Sequence, residues 1–232
     1  MVMCCRTHKV GPFRTCLFGR KPCGISPRLH RCISCGLQTI NSQPQENAMK
    51  YIVPYNNEWP IRFNAIAQFL RGYIPDGCLI HHVGSTAVPG MPAKDIIDVD
   101  VECPDGSMAS VIEALERARY DHEGDLGIPT REAFKPRIGS TALSLPCHHL
   151  YACETRSPGL FKHIAFRDYL ICHPTRAEWL ASQKVRADEL ANSRAEYIEN
   201  KSSAYETIEG EILSWADRAL QRTPTSGAEP SR

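Results

Sequence analysis

Asp95-Ile96-Ile97-Asp98-Val99-Asp100-Val101-Glu102 alternates apolar and acidic residues with a period of two. On a strand, successive side chains point to opposite faces. Ile97, Val99 and Val101 therefore share one face, and Asp98, Asp100 and Glu102 share the other. Pro104-Asp105-Gly106 ends the run, so the strand spans Ile96 to Cys103. Neighbouring carboxylates on one face repel each other unless water or a cation neutralises them. Two readings follow. The acids line the exposed face of a half-buried sheet, or they serve an ion.

The segment just upstream favours the ion. Cys78 to Val83 reads as a short strand, and Gly84-Ser85 follows it directly, with Gly90 and two prolines later in the loop. A glycine-serine turn lets backbone N–H groups and a hydroxyl approach a phosphate where a larger side chain would block it. Asp98 and Asp100 on the next strand are then placed to hold a divalent cation, Mg²⁺, bridging the phosphate oxygens.

Further out, Pro54 to Pro60 is turn chemistry leading into a helix whose core stripe is Phe63, Ile66, Ala67 and Leu70. Residues 107–119 carry Val111, Ile112 and Leu115 on one helical face. Residues 120–155 read as short strands and loops, ending in a strand from Leu143 to Cys153. From Pro158 the pattern is helical, and residues 223–232 form a polar, disordered tail. This order predicts an α/β (α+β) protein: a mixed β-sheet with flanking helices and a helical C-terminal part.

Composition bounds the function. The 232 residues carry 27 Lys and Arg against 26 Asp and Glu, which removes a global electrostatic case for nucleic acid. No apolar run approaches the roughly 18 residues of a membrane-spanning helix. The charge is unevenly spread. Residues 1–48 hold seven Lys or Arg, the single acid Glu46 and six of the 11 cysteines. Cys32-x-x-Cys35 with Cys16 and Cys23 suggests a zinc module, but zinc sites usually use two close pairs. An Arg-rich targeting segment is opposed by Pro12, Pro22 and Pro27. A disordered, basic, Cys-rich extension is the preferred reading, with the folded domain over 49–222. No secretory signal is read at the start, and Cys78, Cys103, Cys147, Cys153 and Cys172 read as free thiols of a reducing, cytoplasmic protein.

His82-Val83-Gly84-Ser85-Thr86-Ala87-Val88-Pro89-Gly90, then Ala93-Lys94 and Ile96 to Val101, resemble the GrpB family. Gly124-Asp125-Leu126-Gly127-Ile128-Pro129, Arg131-Glu132 and Phe134 are similar to that family's next motif. His149-Leu150-Tyr151, His163-x-Ala165-Phe166-Arg167-Asp168-Tyr169-Leu170 and Tyr197-x-x-x-Lys201 continue the likeness. It runs from about Tyr55 to about Leu213. The resemblance implies a nucleotidyltransferase-like fold and kinship with a segment fused to dephospho-CoA kinase in some bacteria. The superfamily pattern is a Gly-Ser loop, an Asp-x-Asp strand and a third acid on a later strand. Gly84-Ser85 and Asp98-x-Asp100 match the first two parts, whereas the later strand offers His149 and Tyr151 in place of a carboxylate. His149 thereby becomes a catalytic candidate. Asp95 stands where relatives usually carry a proline.

Lys94 and Arg131 are candidate phosphate clamps, although a loop cation is usually just solvated. His82 is either a ligand or, more commonly for a strand histidine, a hydrogen-bonded core residue. Arg167 and Asp168 suit a surface or helix–sheet ion pair. Lys201 shares a helix face with Tyr197, for which packing is the default. Two functions remain open. One is Mg²⁺-dependent transfer of a nucleotidyl group to an unknown acceptor. The other is a non-catalytic module that binds a nucleotide, or a phosphorylated small molecule such as a CoA-like ligand.

Overall fold

The computed structural model describes residues 50–221. The basic Cys-rich extension and the polar tail lie outside the described residues. Twelve elements follow in chain order. Helix α1 (Trp59–Arg71) leads to strand β1 (Leu79–Val83), a 3-10 turn (Ser85–Ala87) and strand β2 (Ile97–Cys103). Helix α2 (Met108–Arg117) precedes strands β3 (Tyr120–Gly124) and β4 (Arg131–Pro136), then a second 3-10 turn (Thr141–Ser144) and strand β5 (His148–Glu154). Helices α3 (Pro158–Cys172), α4 (Pro174–Leu190) and α5 (Arg194–Gln221) close the order.

The strands form one mixed sheet in the order β1-β2-β5-β4-β3. Only β2 and β5 run parallel; the other pairs are antiparallel. The period-two reading of β2 holds for its apolar face: Ile97, Val99 and Val101 are buried, with Leu150 and Ala152 of β5 beside them in register. Against this face pack Trp59, Ile66 and Leu70 of α1 and Val111 and Leu115 of α2. Fully burying one such side chain contributes about 1.5–3 kcal/mol. Trp59 opens α1 rather than ending the preceding turn, and its indole N–H donates to Asp95 at 2.7 Å. Asp95 also takes Arg62 of α1 at 2.8 Å. It therefore ties that helix to the loop before β2.

The opposite face of β2 is covered at Asp100, while the Asp98 side chain stays 34% exposed. Helices α3, α4 and α5 share a second core of Ala165, Leu170, Leu180, Ile208 and Ile212 with Val88 and Met91 from the loop after β1. The helix α3 is fastened to β1 by Arg167, which donates to the His82 carbonyl at 3.0 Å and pairs with Asp168 at 2.7 Å. Under this layer Asp100 is 0% exposed, so at its centre the acidic face is not the solvent face of a half-buried sheet.

The strand anticipated from Leu143 begins instead at His148. Residues 141–144 form a 3-10 turn, and Pro146 has no N–H to give to a ladder. Among the described residues, Cys78, Cys103, Cys147 and Cys153 are free thiols. Burial pushes Cys103 up to about 11 and Cys153 up to about 12, which keeps both protonated. No helix among the described residues is long and apolar enough to cross a membrane.

Candidate active site

Each carboxylate on the polar face of β2 is met by an imidazole. His149 of β5, the register partner of Asp98, donates from Nδ1 to Asp98 Oδ1 at 2.8 Å. His163 of α3 reaches down to Asp100 Oδ2 at 2.7 Å. His81 of β1 meets Glu102 at 2.7 Å. What sets Asp98 and Asp100 apart from Glu102 is the closeness of Gly84 to Asp98 and an unpartnered oxygen on Asp100. Burial works against the charged form of His163, but the hydrogen bond and charge of Asp100, helped by Asp98, outweigh it and raise its pKa. The second oxygen of Asp100, Oδ1, is buried without a hydrogen-bond partner.

Gly84 closes one side. Its backbone has φ +70°, and a Cβ there would lie 2.3 Å from Asp98 Oδ2. Any side chain would strike the carboxylate, so glycine is required by contact as well as by conformation. The chain then turns through Ser85, whose Oγ receives a hydrogen bond from Lys184 Nζ at 2.8 Å and lies 3.3 Å from the Tyr205 hydroxyl. Lys201 sits between two rings of α5, its Nζ 5.3 Å from the Tyr197 centroid and 4.8 Å from that of Tyr205. Lys94 stands 5.9 Å from the Tyr197 ring. Three lysines thus converge behind the Gly-Ser turn. Burial, together with like charge from its neighbours, lowers the pKa of each, and brings Lys184 to about 7. A cavity of about 380 Å³ opens at this turn, lined by Gly84, Ser85, Asp98, Lys162, His163, Lys201 and Tyr205, among others; Lys94 and Lys184 lie behind its walls.

A second cavity, of about 580 Å³, lies over β3, β4 and the start of β5. His149 and Tyr151 line it, with Leu126, Phe134, Leu143 and Lys135 among the other walls. The Asp98–His149 hydrogen bond therefore joins a wall of one cavity to a wall of the other.

The structure brings Gly84, Ser85, Asp98, Asp100 and His149 together and sets Lys94 in the lysine cluster. Arg131 belongs to β4; its guanidinium lies 4.4 Å from the centroid of Tyr151, the register partner of Asp100, and it acts as a like charge on His163, while neither it nor Lys94 lines the cavity at Gly84. His82 points to the core face, stacked on Phe63 at 4.8 Å and bonded to Thr86 at 3.0 Å. Burial takes it down to about 4, so it is a neutral core residue. Lys184, His163 and Tyr205 are site residues that the sequence reading passes over. A signal for Lys184 exists, because Ala177, Leu180, Lys184 and Ala187 recur at helical spacing on the buried side of α4.

The donor set suits one hard cation. Mg²⁺ commonly takes one or two carboxylates and completes its shell with water and substrate phosphates. Asp98 and Asp100 are adjacent, and the unpartnered Oδ1 of Asp100 supplies a free buried oxygen. A protein cage is absent: no cluster of three or more His, Cys, Asp or Glu suited to a metal occurs among the described residues. The positions on β5 facing Asp98 and Asp100 are His149 and Tyr151, so no third carboxylate faces them there.

A five-stranded mixed sheet, helices on both faces and a Gly-Ser turn against an Asp-x-Asp strand define the class of this domain. Residues 51–211 match the family model described as GrpB protein. The chain belongs to the GrpB family. It is 32% identical over 167 residues to UPF0157 protein YqkA of Bacillus subtilis (strain 168), covering 71% of this chain and 47% of that protein. A dephospho-CoA kinase of Mycolicibacterium paratuberculosis is 26% identical over 194 residues, covering 72% of this chain and 46% of the kinase. The chain thus spans about half the length of each of these two relatives. The crystal structure of conserved protein GrpB from Enterococcus faecalis shares the fold. It superposes with a TM-score of 0.58 at 24% identity, over 74% of this chain and 99% of that one.

Proposed function

We propose that this domain is a Mg²⁺-dependent nucleotidyltransferase that moves a nucleotidyl group from a nucleoside triphosphate to a hydroxyl acceptor. The observation that carries this reading is the contact of Gly84 with Asp98, beside the unpartnered Oδ1 of Asp100, at the mouth of a lysine-walled cavity. Asp98 and Asp100 would hold the cation, which when bound supplies charge neutralisation at the phosphates. The backbone at Gly84-Ser85 and the Ser85 hydroxyl would seat the outer phosphates. Lys94, Lys184 and Lys201 would offset the charge that builds on the leaving pyrophosphate.

The acceptor would approach from the second cavity. With the Nδ1 proton of His149 directed at Asp98, Nε2 is left to accept. The acceptor oxygen forms a bond to the α-phosphorus, the bond from that phosphorus to the bridging oxygen breaks, and pyrophosphate leaves. The acceptor's proton passes to His149 Nε2, and Asp98 steadies the ring.

A specific observation supports a second reading, a module that binds a nucleotide or a CoA-like phosphorylated ligand without chemistry. His149 and Tyr151 stand where a transferase of this pattern would carry its third carboxylate. Pyrophosphate release from each common nucleoside triphosphate, with Mg²⁺ and a small-molecule cell extract as acceptor source, separates the two. The transferase reading predicts release that His149→Ala abolishes while nucleotide affinity is retained. Nucleotide binding with no release from wild type identifies the binding module.

A further inference from the structure

We propose that above neutral pH Lys184 rests as a neutral amine in the ligand-free protein and takes up a proton when a chain of two or more phosphates enters the Gly84-Ser85 turn. This rests on the phosphate-binding reading above and adds the ligand class the site selects and the means of selection. Lys184 is 2% exposed. Its ammonium donates to the Ser85 hydroxyl at 2.8 Å, which is not a counter-ion. A charged ammonium has three N–H groups to satisfy, and an uncompensated one inside a protein is costly.

The groups around it make that charge worse. Lys201 on α5 and Lys94 before β2 both act on Lys184 as like charges. Asp98 on β2 is the acid that acts in the other direction, and its Oδ1 is already taken by His149. Tyr205 on α5 is neutral, with burial raising its pKa. Burial and these neighbours together bring Lys184 to about 7. Three charged lysines against Asp98 leave about two positive charges, and the Mg²⁺ of the proposed site adds to that excess, so a single phosphate of about −1.5 to −2 falls short once the cation is counted. A diphosphate or triphosphate seated on the Gly84-Ser85 turn, whose hydroxyl already holds Lys184, supplies more negative charge beside the amine. Its arrival raises the proton affinity of the amine, so binding and protonation are linked.

The linkage has a definite sign. Below pH 7 the amine is charged in both free and bound states, and affinity is independent of its proton. Above pH 7 each binding event must take a proton from solvent, and affinity falls by up to about tenfold per pH unit.

Calorimetry of the full chain at pH 8 tests this. Each of the four common ribonucleoside triphosphates is titrated with Mg²⁺ in two buffers of different ionisation heat. The phosphates are themselves fully ionised there, since their last pKa lies near about 6. The expected result is a buffer-dependent heat corresponding to about one proton taken up per triphosphate bound. The uptake disappears in Lys184→Met, and nucleoside monophosphates give much less of it in wild type. Binding with a heat that does not depend on buffer overturns the proposal while leaving the nucleotide site standing. Uptake that persists in Lys184→Met also overturns it, because another group then carries the proton. Absence of binding by any of the four removes the nucleotide site and this inference together.

Discussion

Gly84 and Asp98 approach so closely that the space for one methyl group decides the site. Gly84→Ala forces a Cβ to within 2.3 Å of Asp98 Oδ2 at a φ of +70°. It should lower stability by about 1–3 kcal/mol in urea denaturation. That corresponds to about 2–4 °C of melting temperature for each kcal/mol. A variant as stable as wild type would mean that the turn and β2 are not pressed together. Lys184 works in the opposite direction. Its folded pKa of about 7 lies below its ordinary 10.5. Between those values the unfolded chain holds the proton and the folded protein does not, so stability from this group falls as pH drops from 10.5 to 7 and is then flat. Lys184→Met should therefore be more stable than wild type at pH 6, by about 1–4 kcal/mol, with the gap shrinking by pH 9. Equal stability of the two proteins at pH 6 would contradict the uncompensated-amine account.

At the scale of elements, the alternation in β2 is legible in the sequence because a period of two needs nothing outside the strand. What covers the strand is not legible. The imidazoles that engage Asp98 and Asp100 come from 51 and 63 residues away, on β5 and α3. Proximity of that kind belongs to the sheet order. Lys184 is a different case, since a lysine in a helical stretch reads as solvated even when it falls on the apolar stripe of α4. Arg131 shows the reverse, a loop cation by sequence that joins β4 and stacks on Tyr151. The helix α3, which delivers His163, starts at Ser157, whose hydroxyl accepts the Leu160 N–H at 3.2 Å, with Pro158 in the first turn. Ser157→Ala should cost about 1 kcal/mol by thermal or urea unfolding. No measurable change would show that the cap contributes nothing to α3. Asp188 near the end of α4 accepts the backbone N–H groups of Lys50 and Tyr51, each at 2.6 Å. Asp188→Ala leaves those donors unpaired and should destabilise by about 1–3 kcal/mol, read in the same way.

On the scale of the whole molecule, the sheet holds Asp98 and Asp100 while the helical layer brings His163, Lys184, Lys201 and Tyr205 onto the same face. Neither layer forms the lysine-walled cavity alone, because its lining comes from the Gly-Ser turn, β2, α3 and α5. The central claim is that this shared space takes a nucleoside triphosphate with Mg²⁺ on the two aspartates. The most direct measurement is calorimetric binding of each common nucleoside triphosphate to the full chain, with and without Mg²⁺. Wild type is compared with the double variant Asp98→Asn, Asp100→Asn. The account predicts Mg²⁺-dependent binding of at least one triphosphate to wild type and its loss in a double variant that remains folded, checked by circular dichroism, although it gives up the His149 and His163 pairings. Absence of binding to wild type at millimolar ligand, or undiminished binding to the folded double variant, would contradict it.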